Sequence, residues 1–220
     1  MRFDIISIFP ESFASYFNVS ILKRAQEQGH IVIDMHNLRD FAQNKHKTVD
    51  DTPYGGGAGM VLKVEPLVKA IESVSNQQKT KNNQQKTRKI LFSAKGKLFT
   101  QADAKRLAMY ERLILVCGRY EGVDERVTHF VDEELSIGEY VLTGGEIPAM
   151  VVVDAVTRLL PGVLGNSESI ETESHTQKGI VEYPHYTKPE IFRGVRVPEV
   201  LLSGHHTNIT KWRHQQSKKI

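Results

Sequence analysis

The chain has 220 residues, 40% hydrophobic and 25% charged, values typical of a soluble globular protein with a sizeable core. This composition excludes collagen-like, coiled-coil and globally disordered chains, and a single cysteine excludes an intramolecular disulfide or a zinc site of several thiolates. The net charge of +3 is unevenly distributed: residues 111–146 carry nine acids against three bases, and residues 177–220 carry eight bases against three acids. Residues 76–89 add five bases and no acid. Basic segments on both sides of an acidic middle favour a protein that grips a polyanion at its periphery, and ordinary solvated surface is the alternative.

The alternation of apolar and polar segments predicts an α/β fold. In chain order, the predicted elements are a strand at 3–9, a helix at 11–28, a strand at 31–35, a long loop at 36–62, a helix at 66–74, an exposed low-complexity insert at 76–89, a strand at 89–93, a helix at 100–110 capped by Thr100, a strand at 112–117, an extended segment at 134–142 and a buried helix at 147–160. Strands that alternate with helices indicate a mostly parallel sheet.

Composition also suggests a division of the chain into three parts. Residues 1–161 carry the α/β pattern, residues 162–177 are rich in Ser, Thr and Glu and predict a flexible interdomain linker, and residues 178–220 form a small basic domain. The clearest helix of that last domain is predicted at 207–219.

Neither a membrane span nor a secretory leader is expected. The most apolar segment is interrupted by Asp154 and Arg158, and the first residues lack a basic stretch followed by a long apolar one. The single cysteine, Cys117, is typical of a reducing, cytoplasmic compartment and is interpreted as a small buried hydrophobe after a strand.

The first glycine cluster lies in the long loop. Tyr54 precedes Gly55, Gly56, Gly57 and Gly59, so the backbone N–H groups there are free to meet an anion or a base. The spacing is not that of a phosphate-binding loop or a dinucleotide fingerprint, and a flexible surface loop is the alternative.

Two further glycine motifs, residues 117–126 and 136–146, follow extended segments, and residues 93–97 form a weaker one at another strand end. Ligands bind α/β folds at the carboxyl ends of strands, and each motif alone is equally compatible with a tight turn. The acids beside these loops suit a ribose or a cationic ligand and do not suit a triphosphate.

The C-terminal segment holds His205, His206 and His214, whose spacing matches no zinc pattern, so a surface and capping role is expected and no metal site is predicted. Trp212 lies between Lys211 and Arg213, where its ring could stack on a nucleobase or pack against the core as part of an amphipathic helix.

Seven motifs in one order carry a resemblance to a known family. They are DDxPYGGGxGM from Asp50, CGRYEG from Cys117, SIGxYVLTGGE from Ser136, LPGVLG from Leu160, YPHYTKP from Tyr183, SGHH from Ser203 and KWR from Lys211. This series resembles the bacterial tRNA (guanine-N1)-methyltransferase family of the SPOUT superfamily, and the resemblance runs from Met1 to about Lys219.

The resemblance implies a SPOUT fold with a deep trefoil knot and a small helical, tRNA-binding C-terminal domain. It implies S-adenosyl-L-methionine as methyl donor, a possible need for Mg²⁺, and a homodimer whose active sites combine residues of both copies. The activity implied is transfer of the methyl group to N1 of the guanine immediately 3′ of the anticodon.

Carried over position by position, the resemblance implies a donor-binding set, with Glu121 near the methionine end. This set comprises Leu91, Phe92, Ser93, Ala94, Gly118, Tyr120, Glu121, Gly122, Ile137, Gly138, Glu139, Tyr140, Val141, Leu142, Gly144 and Gly145. The residues expected to bind RNA are Tyr54, Gly55, Gly56, Gly57, Gly59, Arg158, His185, Lys211 and Arg213.

Two residues are implied to be catalytic, Arg158 and Glu173. The family's general base is an aspartate followed by Ser-Phe, whereas this chain has Glu173 followed by Ser174 and His175. Glu139 also replaces a family aspartate, and Ala58 stands where the family often has proline. These departures leave two alternatives open: a catalytically weakened SPOUT protein that binds RNA, or a SPOUT methyltransferase of another RNA.

Overall fold

A computed structural model describes residues 1–77, 86–165, 173–176 and 179–219. The chain forms two compact units, Met1–Gly165 and Asn166–Ile220. The predicted three-part division at 161 and 177 stays a prediction.

A parallel sheet forms the centre of the first unit and confirms the predicted α/β class. Within its described residues the sheet has five strands in the order β2-β1-β6-β5-β7, and every pair is parallel. The strands of this unit are β1 (Arg2–Ser7), β2 (Val32–Asn37), β3 (Asp50–Asp51), β4 (Val61–Leu62), β5 (Thr87–Leu98), β6 (Arg112–Cys117) and β7 (Glu133–Ser136). The short strands β3 and β4 form a separate antiparallel pair within the long loop.

Helices cover both faces of the sheet, as expected of parallel strands with apolar side chains on both sides. The α-helices of the first unit are α1 (Ala14–Phe17), α2 (Ser20–Glu27), α3 (Val64–Asn76), α4 (Gln101–Leu107) and α5 (Glu146–Thr157), joined by 3₁₀ turns at Pro10–Phe13, Leu38–Phe41 and Glu125–Phe130. One buried cluster unites α2, α4 and α5 with one face of β1 and β6, and a second unites α3 with the other face.

The helix predicted at 11–28 is not continuous. Val19 is extended and Ser20 has a φ of 50°, so the chain breaks between α1 and α2. The break lets Phe13 and Phe17 before it and Leu22 after it enter the same core. The N-cap predicted at Thr100 is confirmed, since its side chain and that of Asp103 bond each other's backbone N–H groups in a capping box.

The extended segment predicted at 134–142 ends at Ser136. There the Ser136 hydroxyl donates to the Gly138 carbonyl and accepts from the Gly138 N–H, at 2.9 and 3.3 Å, and closes a turn. Strand β5 is longer than predicted, because its polar second half still pairs with β7. Residues 78–85 of the predicted insert lie outside the described part of the chain, and Thr87 to Lys89 belong to β5.

A buried charge network ties the amino ends of the central strands together. Asp4 on β1 is fully buried and accepts bonds from Arg112 at 2.7 Å, Arg2 at 3.0 Å and His36 at 2.8 Å. Burial of the Asp4 carboxyl opposes its ionisation, but the bonds from His36, Arg112 and Arg2 outweigh this effect and lower its pKa to about 2.

Asp4→Asn is therefore expected to lower the free energy of unfolding by about 3 kcal/mol, because it leaves the buried Arg112 guanidinium without its counter-charge. Since the folded pKa is lowered, the stabilisation is present above the ordinary pKa of 3.8 and is lost as pH falls toward 2. Urea unfolding between pH 2 and 7 measures both effects. Asp40→Asn, at an exposed carboxylate, is the control expected to change little, and an equal loss in the two variants would contradict the assignment.

In the second unit the described residues form short strands and two helices. These are β8 (Ile180–Val181), β9 (Ile191–Phe192), β10 (Val195–Arg196), α6 (Glu199–Leu202), α7 (His206–Gln216) and β11 (Lys218–Lys219). The helix predicted at 207–219 ends at Gln216, because Lys218 and Lys219 pair antiparallel with β8. Of the predicted linker, residues 166–172 and 177 lie outside the described ranges. Among the helices that are described, none is long and apolar enough to cross a membrane.

Candidate functional site

A cavity of about 460 Å³ lies at the carboxyl ends of β5, β6 and β7. This edge of a parallel sheet is where α/β folds bind ligands, and the volume is in the range of small-molecule sites. The cavity brings together fifteen of the sixteen residues expected to bind the donor: Leu91, Phe92, Ser93, Ala94, Gly118, Tyr120, Glu121, Gly122, Ile137, Gly138, Tyr140, Val141, Leu142, Gly144 and Gly145. Glu139 is exposed and is not on the cavity wall.

An irregularity in β5 forms one side of the cavity. Phe92 and Lys97 both pair with Leu135 of β7, so the four residues between them bulge out of the ladder. Ser93, Ala94 and Lys95 of this bulge line the cavity. The weak motif at 93–97 is thus a bulge within a strand, at the place where a ligand would meet free backbone groups.

Backbone hydrogen bonds join the three glycine motifs around the cavity. The Glu121 N–H donates to the Met60 carbonyl at 3.0 Å, and the Leu62 N–H donates to the Gly122 carbonyl at 3.0 Å. On the other side, the Gly145 N–H donates to the Gly118 carbonyl at 2.8 Å. The glycine motif at 117–126 therefore connects the motifs on either side of it in the sequence.

At Gly145 this close packing requires glycine. A Cβ there would lie 2.7 Å from the Cys117 Cα and 2.9 Å from the Gly118 nitrogen, both of them backbone atoms. Cys117 itself is buried, and burial raises the pKa of its thiol well above its usual range, with a smaller contribution from the Glu146 charge. The thiol is therefore part of the packed core rather than a nucleophile.

The charges on the cavity wall are mainly acidic. Lys95 Nζ lies 2.5 Å from Glu125 Oε2, and Arg119 Nη1 lies 3.5 Å from Glu146 Oε2, so each cation on the wall has an acidic partner. Glu121 and Glu134 add two further carboxylates, and Glu134 Oε2 is buried without a hydrogen-bond partner. An acidic wall suits a cationic or hydroxyl-bearing ligand.

Reasoning from the sequence missed several residues of this wall, including Lys95, Arg119, Glu125 and Glu134. Arg119 lies inside the CGRYEG motif, between Gly118 and Tyr120, and this position indicates that it too lies beside the cavity. Adjacent residues of a strand face opposite sides of the sheet. Glu133 of β7 is paired with Arg88 and Arg106 on one side, so Glu134 faces the other side.

The loop of the first glycine cluster is exposed. Tyr54 has a fully exposed side chain, and Gly55, Gly56 and Gly57 have positive φ and open space around them. At the end of the loop, a Cβ on Gly59 would lie 2.6 Å from the Glu121 Cγ. The loop thus begins in solvent and ends against a residue of the cavity wall.

The two residues expected to be catalytic belong to different units. Arg158 is half-buried at the end of α5, where its N–H donates to the Asp154 carbonyl at 3.2 Å. Glu173 lies in a turn of the second unit, where the His175 N–H donates to the Ile180 carbonyl at 2.7 Å and Ser174 Oγ accepts from the Glu182 N–H at 3.0 Å. These bonds attach the turn to Ile180 of β8 and to Glu182, which directly follows that strand.

Aromatic and basic side chains meet in the second unit. The Arg213 guanidinium lies 4.9 Å from the centre of the Tyr183 ring, and that ring lies 4.9 Å from the His185 ring. Trp212 is half-buried beside Tyr186, with their ring centres 6.3 Å apart. Lys211, His185 and Arg213 are exposed, so this unit presents cations next to flat rings.

No group of three or more His, Cys, Asp or Glu side chains in the described residues is placed to hold a metal ion.

Comparison with known proteins gives consistent results. The family model for tRNA (guanine-1)-methyltransferase TrmD matches residues 1–220. A tRNA (guanine-N(1)-)-methyltransferase of Desulforamulus reducens is 58% identical over 218 residues, 99% of this chain and 84% of the relative, and one of Dictyoglomus turgidum is 54% identical over 100% of this chain and 86% of the relative. The crystal structure of tRNA (m1G37) methyltransferase from Aquifex aeolicus matches with a TM-score of 0.81 at 40% identity, covering 98% of this chain and 89% of that one.

Proposed function

Because the chain belongs to the tRNA (guanine-1)-methyltransferase TrmD family, we propose that it transfers the methyl group of S-adenosyl-L-methionine to N1 of the guanine 3′ of the anticodon, position 37 of tRNA. The glycine-lined cavity at the carboxyl ends of β5, β6 and β7 is the observation that carries the proposal. Its volume, its close-packed glycine backbone and its acidic wall fit a nucleoside that bears a positive charge.

Within the cavity, the chain's own residues bind the donor mainly through backbone groups of the bulge at 93–95 and the loops at 118–122 and 137–145. When bound, the donor supplies a methyl group already activated as a sulfonium. The carboxylate of Glu121, which also touches the glycine-rich loop at Gly59, marks the methionine end.

The chemistry at guanine needs a base and a cation. As N1 attacks the methyl carbon, the carbon–sulfur bond breaks toward sulfur, and the N1 proton passes to a carboxylate, for which we propose Glu173. Negative charge that moves onto O6 is stabilised by the Arg158 guanidinium. The proposed base belongs to the second unit and the proposed cation to the first.

A magnesium ion is a separate proposal. Mg²⁺ usually keeps several waters and takes one or two carboxylates together with substrate oxygens, and Glu121 is the carboxylate suited to that part. Since the described residues offer no group of three metal ligands, protein side chains alone do not fit the ion.

The second unit is proposed to hold the tRNA backbone. Its exposed cations, including Lys211 and Arg213, lie beside Tyr183 and Trp212, an arrangement suited to phosphates and unstacked bases. Replacing Lys211 and Arg213 together by alanine is expected to weaken tRNA binding and to reduce the slope of log K against log salt concentration by about two.

Filter binding between 50 and 200 mM salt measures this slope, on the scale over which phosphate contacts are lost. Lys23→Ala, at an exposed lysine of α2 in the first unit, is the matched control and should leave the slope unchanged. Salt-insensitive binding by the unaltered chain would rule out phosphate contacts as the main source of affinity.

A second copy of the chain is proposed to complete the site. Helix α5 is mainly apolar, and Ile147 and Val151 on it remain 54% and 38% exposed, close in sequence to the exposed Tyr140 and Val141. A helix of this composition is normally buried, so an uncovered apolar face favours a partner.

Val151→Glu is expected to halve the mass measured by light scattering and to abolish methyl transfer, since it places a charge on that apolar face. Val32→Glu, at an exposed position on the edge strand β2, is the control and should remain a dimer with normal transfer. A fully active monomer would refute the composite site.

The experiment that tests the function is methyl transfer from labelled S-adenosylmethionine to unmodified tRNA with guanine at the last anticodon position and the next, followed by mapping of the modified base. Methylation at N1 of the second guanine is expected. Donor binding without transfer would instead support a catalytically weakened RNA-binding protein, and transfer only to ribosomal RNA would support a different substrate. As an enzyme of tRNA, it is proposed to act in the cytoplasm.

A further inference from the structure

We propose that Glu146 is a positioning residue for the donor cavity: its buried carboxylate fixes Arg119 against the loop at 143–145, so that the two loops flanking the cavity keep their spacing. This inference rests on the proposed function, because it takes the cavity at the end of the sheet to be the donor site.

Glu146 begins α5, directly after the third glycine motif, yet its side chain does not extend into solvent. It is 7% exposed, and its carboxylate reaches two other segments. Oε1 accepts a hydrogen bond from Ser7 Oγ at 2.7 Å, and Oε2 lies 3.5 Å from Arg119 Nη1. Ser7 ends β1 and Arg119 follows β6, so one carboxylate joins the carboxyl ends of two neighbouring central strands to the start of α5.

Arg119 transmits this constraint to the cavity. The same Nη1 donates to Thr143 Oγ1 at 3.3 Å, and the guanidinium lies 4.9 Å from the centre of the Phe9 ring. The backbone of Arg119 pairs with that of Gly144 in an isolated antiparallel bridge. Arg119, Thr143 and Gly144 all line the cavity, so the arginine connects its two walls through both its backbone and its side chain.

The packing at Gly144 shows how closely the ion pair fits this wall. A Cβ at Gly144 would lie 2.3 Å from Glu146 Oε2 and 2.7 Å from Arg119 Nη1. The carboxylate and the guanidinium therefore lie directly against the Gly144 backbone. If the negative charge is removed, Arg119 keeps the neutral partner Thr143 and the Phe9 ring but loses its counter-charge, so its long cationic side chain is held less firmly beside the cavity.

The test compares Glu146→Gln with the unaltered full-length chain, using S-adenosylhomocysteine binding by calorimetry and steady-state methyl transfer. Glutamine keeps the size of the side chain and an acceptor for Ser7 but removes the charge. The dissociation constant is expected to rise about 5-fold, the upper range for an ion pair of which one partner is partly exposed. The KM for S-adenosylmethionine should rise by a similar factor, while kcat at saturating donor changes far less.

Four companion variants separate positioning from folding. Arg119→Gln should weaken donor binding as much as Glu146→Gln, and the double variant should be no weaker than the worse single one, since the two side chains act through one contact. Ser7→Ala removes the other bond of Glu146 and should lower the melting temperature with a smaller effect on donor binding. Glu72→Gln, at an exposed position of α3, is the matched control and should bind normally.

Unchanged donor affinity in Glu146→Gln, or additive losses in the double variant, would overturn the inference. If Glu146→Gln does not fold, Arg119→Gln decides the question, because it leaves the bond between Ser7 and Glu146 intact. If the unaltered chain binds neither S-adenosylmethionine nor S-adenosylhomocysteine, the proposed function itself fails and the inference fails with it.

Discussion

Glu173→Gln is expected to lower the turnover number for methyl transfer by about 100-fold or more, the range that general-base catalysis supplies. Glutamine keeps the size and much of the hydrogen bonding of the side chain but cannot take the N1 proton. Donor affinity should barely change, since every described residue of the cavity wall belongs to the first unit. Single-turnover transfer to tRNA measures the first effect and calorimetry with S-adenosylhomocysteine the second.

Two variants make this assignment specific. Glu173→Asp should retain activity, because the shorter acid is the residue that the family resemblance implies at this place. Glu171→Gln is the control, since Glu171 is a second carboxylate nearby in the sequence, outside the described residues. Full activity in Glu173→Gln with loss in Glu171→Gln would show that Glu171, rather than Glu173, is the general base.

Mixed dimers test whether the site combines two copies. A chain with Glu173→Gln is paired with a chain whose donor cavity is blocked by Gly138→Val. If the base works across the interface, one of the two sites regains both a donor cavity and a carboxylate, and about half of the activity should return. If each chain supplies its own base, the mixed dimer should be inactive.

The local chemistry of the sequence was enough to predict most of the first unit. Residues 112–117 form an uninterrupted, mainly apolar run, and β6 has the predicted bounds because all six of its residues are buried. Thr100 three residues before Asp103 is a capping-box pattern, and the structure has the corresponding pair of bonds. In both cases the outcome depends on neighbours in the sequence.

The features that sequence reasoning missed depend on residues far apart in the chain. The bulge in β5 exists because Phe92 and Lys97 share one partner on β7. No pattern among neighbouring residues in the sequence predicts that pairing register. Arg112 stands in a buried strand only because Asp4, 108 residues away, neutralises it. In the same way, the contact of Glu146 with Ser7 spans 139 residues and depends on the order of the strands in the sheet.

The candidate site likewise combines features that neighbouring residues predict with features that depend on residues far apart in the chain. Glycines at strand ends could be predicted to approach a ligand, and the structure brings those of the second and third motifs to one cavity. The charges around them could not be assigned from spacing, because whether Lys95 pairs with Glu125 depends on how the bulge turns. The motif around Glu139 predicts that it contacts the donor, yet it is exposed and is not on the cavity wall, where its neighbour Gly138 lies.

Gly138→Val is expected to abolish donor binding while leaving the fold intact. A Cβ at Gly138 would lie 2.1 Å from a ring atom of Tyr140, so a branched side chain must displace that ring, which lines the cavity. Tyr140 is 55% exposed and its hydroxyl donates to the Ile137 carbonyl at 3.2 Å, so the displacement affects the cavity wall rather than the core. Calorimetry with S-adenosylmethionine should show no binding, whereas the melting temperature should change little. Gly165→Val, at a glycine with nothing within 4 Å of its Cβ position, is the matched control and should bind normally. Equal donor affinity in the two variants would show that the loop at 137–142 does not contact the donor.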